Sequence, residues 1–135
     1  MAIEEIRAAT PELAAQADRL WSEFARSADA DGLTDFFGLQ ALIVRSLVES
    51  GEVLVRLRER RVEDGLPVPL QLQVLEADHL DSTKGEELRD GGFVMQGIEF
   101  DHLGRRRAYW LYPTHPGDGR GALVSNRVPA DRVLH

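Results

Sequence analysis

At Gly51 the hydrophobic period of this chain changes from helical to alternating. Before it, apolar residues recur three and four apart. One stripe is Leu13, Ala17, Leu20, Trp21, Phe24 and Ala28, and a second is Phe36, Leu39, Ile43 and Leu47, flanked by Phe37, Val44 and Val48. After it the pattern alternates: Val53, Val55 and Leu57 oppose Arg56 and Arg58, and Leu70, Leu72 and Val74 oppose Gln71 and Gln73. A 3.6-residue period lines one face of a helix, and a two-residue period lines one face of a strand. Helices followed by strands predict an α+β fold, with two main N-terminal helices packed on an antiparallel β-sheet that ends in a C-terminal hairpin. The expected organisation is a single domain over residues 1–135, helical over about 3–50 and β-rich over about 52–135.

Local signals set the boundaries. Thr10 can cap a helix that Pro11 and Glu12 open, and that helix ends near Ala28, before the turn at Asp29–Gly32. Residues 3–9 form a separate helical turn or fray. Thr34 and Asp35 start the second helix, and Gly51 is placed for its C-terminal cap. Only Gln40, Arg45, Ser46 and Glu49 of that helix read as solvated, so it is expected to be covered on several sides and to form the core. A charged loop at Glu59–Pro69 separates two strands, and a polar, mobile loop is expected at Glu76–Gly92. The hairpin over about Phe93–Pro113 turns at Gly104, where a positive φ is needed. The glycine- and proline-rich run from Thr114 to Ala122 is expected to lack regular structure.

Composition narrows the class. At 135 residues, 43% hydrophobic and 29% charged, the chain can bury a core and is not disordered as a whole. Its formal charge of −7 argues against a tight, sequence-independent grip on phosphates. The absence of cysteine excludes disulfides and thiolate metal sites. The first residues have neither the basic start nor the apolar run of a signal peptide, and no apolar stretch approaches a membrane span, so an intracellular origin is the default.

Candidate chemistry is sparse. Asp101, His102, His115 and Asp118 could converge from two loops on a divalent metal and make a small metal-dependent hydrolase. Against that, Asp101 stands where a hairpin turn selects Asp, His115-Pro116 opens a turn-rich loop, and no spacing puts two ligands on one helical face. Ser125, Asp78 and His79 lack a nucleophile elbow, and Gly117, Gly119 and Gly121 lack the lysine and the strand-to-helix passage of a phosphate loop. No residue is therefore assigned as catalytic or metal-binding, and no cofactor is expected. Arg56, Arg58 and Arg60 would share one strand face. With Arg105, Arg106 and Arg107 they are the candidates for contact with DNA or with a neighbouring subunit, although carboxylates are interleaved among them.

The order of motifs is more specific than any single one. Asp31–Gln40 (DGLTDFFGLQ) precedes Arg45–Arg56 (RSLVESGEVLVR) and Pro69–Asp78 (PLQLQVLEAD). Then come Gly97–Arg105 (GIEFDHLGR), Ala108–Tyr112 (AYWLY), His115–Asp118 (HPGD) and Val128–His135 (VPADRVLH). In this order, from Trp21 to His135, the chain resembles the lambda-like portal proteins of tailed bacteriophages. The resemblance implies a piece of the wing region of a portal subunit, a structural part of the head–tail connector ring through which DNA is packaged and ejected. It further implies a dodecamer with other portal subunits, docking to terminase, capsid and tail-connector proteins, double-stranded DNA in the channel, and no membrane. The implied location is the portal vertex of the virion, with the bacterial cytoplasm during assembly or when the gene is carried by a prophage. Portal subunits of this family continue past the VLH position, so the chain is expected to be a fragment, either an expressed domain or a prophage remnant. The alternatives are the hydrolase above and a β-repeat or toxin-associated fragment that shares only the FD..GR turn. That turn does not recur, which counts against the second.

Overall fold

The computed structural model describes residues 10–119 and 123–135. Residues 3–9 and 120–122, which carry parts of the expectations above, lie outside them. The element order is α1 (Pro11–Ser27), α2 (Phe36–Ser50), β1 (Leu54–Glu59), β2 (Leu70–Leu75), β3 (Glu86–Glu87), β4 (Phe93–Met95), β5 (Ile98–Phe100), β6 (Arg106–Leu111), β7 (Asn126–Pro129) and β8 (Val133–Leu134). The fold is α+β, with helices first and antiparallel strands after them. The strands form two sheets where one was expected, in the orders β2-β1-β8 and β3-β4-β5-β6-β7.

The chain divides into two compact units, residues 1–42 with 58–73 and residues 43–57 with 74–135. In the first, the Thr10 hydroxyl accepts the Leu13 amide at 3.2 Å and Pro11 follows it, so α1 starts as its sequence dictates. Trp21 packs edge-on to Phe36 with centroids 5.0 Å apart, and Phe24 and Phe37 extend the cluster. The loop between the helices is organised by Asp29, which is 5% exposed. Its Oδ1 accepts the Asp31 amide, and its Oδ2 accepts those of Leu33 and Thr34, at 2.9–3.0 Å. The Gln71 amide then donates to the carbonyls of Ser27 and Asp29, holding β2 against the end of α1.

In the second unit the core is Leu54, Leu75, Tyr109, Leu111, Val128 and Val133, with Leu80, Ile98 and Ala130 packed against it. Each large apolar side chain buried there contributes about 1.5–3 kcal/mol. The predicted hairpin over 93–113 is a three-stranded meander. Its first turn is Gln96-Gly97, with φ of 49° and 80°, the two-residue turn that matches strand twist. Its second turn is at Gly104, with φ 79° as anticipated. The loop expected at 76–92 is tied down by the two residues of β3 and by a bridge from Leu80 to Leu111.

The expectation that α2 forms the core does not hold. Leu39 is its one buried residue, and Val44, Leu47 and Val48 are 60%, 46% and 81% exposed. A broad apolar helix is buried on several sides only where enough chain packs around it, and among the described residues α2 is covered along one stripe. Beside its second half lies an apolar groove of about 570 Å³ lined by Ile43, Leu47, Val53, Val55 and Leu134.

Candidate functional site

The residues proposed as a metal set do not come together. Asp101 is occupied by its own turn: Oδ1 accepts the amides of Leu103 and Arg105, and Oδ2 accepts Arg105 Nε at 2.9 Å. The Arg105 amide above all, with its guanidinium, holds this carboxyl below the usual range despite the opposing effect of desolvation. His102 is exposed in the same turn. His115 instead meets Glu76 and Asp78, whose carboxylate oxygens lie 3.5 Å from its Nε2. Its Nδ1 accepts the Gly117 amide at 2.9 Å. In a neutral imidazole with Nδ1 as acceptor, the proton sits on Nε2, so the atom facing the carboxylates is an N–H and not a metal ligand. Asp118 lies in the short 3₁₀ turn Pro116–Asp118, one place in a run expected to lack regular structure.

The arginines are largely spent within the fold. A bulge between Glu99 and Phe100 puts Ala108 opposite Glu99 and Arg106 opposite Phe100, leaving Arg107 as the extra residue. The bulge turns Arg107 towards Glu99, which is 3% exposed. Glu99 Oε1 accepts Arg107 Nε at 2.7 Å and Arg127 Nη2 at 2.8 Å, and Oε2 accepts Arg127 Nε at 2.8 Å. Arg107 Nη1 also reaches Asp90 at 2.6 Å. Hydrogen bonds from Arg127 outweigh the cost of burial and, with Arg107, pull Glu99 down to about 2. Arg105 pairs with Asp101, Arg60 Nε donates to Gln71, and Arg56 has an intramolecular partner. Among the described residues Arg58 and Arg106 make no ion pair.

Two hubs were not anticipated from the sequence. Glu99 reads there as the polar member of an alternating strand, and nothing local points to Arg127. Asp81 accepts the hydroxyls of Ser125 at 2.6 Å and Thr83 at 2.7 Å, and that of Tyr112. Burial pushes Asp81 up, and these hydrogen bonds reverse that and leave it below its ordinary value. Ser125 is thus held by Asp81, not by the Asp78 and His79 of the rejected triad. Lys84 Nζ stands 3.8 Å from the centroid of the Trp110 ring. What this architecture can do is hold strands in register.

Comparison with known proteins is consistent with a scaffold. The family model for phage portal proteins of the lambda family matches residues 2–135. The chain belongs to that family. It is also 35% identical over 109 residues to a probable portal protein of Halomonas phage phiHAP-1, an alignment that covers 78% of this chain and 20% of the relative. This portal chain therefore spans about a fifth of the length of that relative. The family is structural, and the hydrolase alternative finds no support in it. No helix among the described residues is long and apolar enough to cross a membrane.

Proposed function

We propose that residues 1–135 are part of the wing region of a portal subunit, in the connector ring through which a tailed phage packages and ejects its double-stranded DNA. The observation that carries this reading is the family match over residues 2–135. The partners are other portal subunits in a dodecamer, the terminase, the capsid and tail-connector proteins, and the DNA in the channel. The place of action is the portal vertex of the virion, after assembly in the bacterial cytoplasm. The chain performs no catalysis and holds no cofactor. The exposed apolar residues of α2 support an assembly role, because contiguous apolar surface marks interaction sites.

Of the six candidate arginines, Arg58 and Arg106 are the ones this reading assigns to contacts outside the chain, with a neighbouring subunit before DNA. Arg105 and Arg107 face Asp101, Asp90 and Glu99, so their attraction for phosphate is largely cancelled. A channel wall that lets DNA slide requires that weakness. The test is mass spectrometry of purified DNA-filled particles from the induced host. Peptides of this chain should be present, and their absence from particles that contain the other head proteins would overturn the assignment. The isolated chain should bind duplex DNA weakly at about 150 mM salt, where screening acts over roughly 8 Å. Submicromolar affinity there would show a gripping surface and sink the sliding-wall argument.

A further inference from the structure

We propose that His115 is a proton-operated latch on the connection between β6 and β7: neutral, it caps the Pro116–Asp118 turn, and protonated, it releases that cap and closes on Glu76 and Asp78. The inference goes beyond the portal reading and does not depend on it.

In the neutral ring the two nitrogens have unequal contacts. Its Nδ1 accepts the Gly117 amide at 2.9 Å, which needs a lone pair on that nitrogen. Its Nε2 is buried and has no hydrogen-bond partner, yet Glu76 Oε2 and Asp78 Oδ2 both lie 3.5 Å away, just beyond hydrogen-bond distance. A proton taken from solvent adds to Nδ1. That nitrogen becomes a donor facing another donor, so the Gly117 cap must open. The same proton makes the ring a cation beside two carboxylates, and charge-assisted hydrogen bonds draw Nε2–H onto them. Opening one contact and closing the other is a single movement of the ring.

The surroundings fix which imidazole responds. His79 lies on the neighbouring 3₁₀ turn with its ring centroid 5.4 Å from that of His115 and its Nδ1 buried without a partner. Burial first, and then the proximity of His115, hold His79 below its ordinary value, which disfavours a charged His79 ring in this pair. The other groups around the ring are Glu76 and Asp78 on the turn of His79, Asp118 on its own turn, and Tyr112 after the end of β6. Glu52 and His135 line the same cleft, paired with each other at 3.1 Å. The turn of His79 is tied to the end of β6 by the Tyr112 amide, which donates to the His79 carbonyl at 2.8 Å three residues before His115.

Nitrogen-15 NMR of the 135-residue chain tests this. At about pH 8 His115 should be the Nε2–H tautomer, with the Gly117 amide shifted downfield and protected from exchange. On titration to about pH 5 the Gly117 resonance should move with the midpoint of His115 and lose about five- to tenfold of its protection. Glu76→Gln with Asp78→Asn should lower that midpoint. His115→Asn, which can cap without titrating, should leave Gly117 insensitive to pH. The latch is disproved by a proton on Nδ1 at pH 8, by a His115 that stays neutral to pH 5, or by a His115 that titrates while Gly117 does not move.

Discussion

Replacing Glu99 with glutamine removes one charge from the most completely buried acid of the larger sheet without changing its size. The carboxylate accepts three hydrogen bonds from Arg107 and Arg127 at 2.7–2.8 Å. Its depression from 4.5 to about 2 corresponds to about 3 kcal/mol of preference for the charged form in the folded state. The guanidiniums are 37% and 42% exposed, so solvent screens part of this, and about 2 kcal/mol remains for Glu99→Gln at neutral pH. Arg107 keeps Asp90, whereas Arg127 is left without its acid, so the loss should concentrate at β7. The pH dependence follows from the direction of the shift. A carboxyl with a depressed folded value contributes stability that is complete above its unfolded value near 4.5 and is lost as pH falls through about 2. Urea unfolding of both proteins should therefore show a gap of about 2 kcal/mol at pH 7 that narrows steadily below about pH 4.5. A gap under about 0.5 kcal/mol at pH 7, or one that does not narrow on acidification, would refute the reasoning.

Two further substitutions probe features the fold depends on. Asp29→Ala strips the acceptor from three loop amides and should cost about 3 kcal/mol by urea unfolding, with faster amide exchange at Asp31, Leu33 and Thr34; a loss under about 1 kcal/mol would mean that water replaces the carboxylate freely. Gly97→Ala and Gly104→Ala share a φ near 80°, but a Cβ at 97 would lie 2.6 Å from the Asp81 carbonyl, whereas at 104 it meets open space. The first should lower stability by more than about 2 kcal/mol and the second by about 1 kcal/mol in thermal melts, and equal losses would show that φ alone governs both positions.

Residue order alone determined the signals that act within a few positions along the chain. Thr10-Pro11 starts a helix because a hydroxyl reaches an amide three residues on, Gly51 ends one at φ 81°, and Gly104 and Asp101 make a turn from their own side chain and backbone. The change of period at Gly51 separated helices from strands for the same reason: periodicity is a local property of the chain. The tertiary structure alone decided what depends on register and on partners far away in sequence. Glu99 became a hub because a bulge turned Arg107 over and β7 carried Arg127 alongside, 28 residues later. Asp81 was joined to Ser125 across 44 residues, and His115 to Glu76 and Asp78 in place of Asp101 and His102. The exposure of α2 belongs to the same class, because an apolar stripe states what a helix could bury and only the surrounding chain determines whether anything covers it.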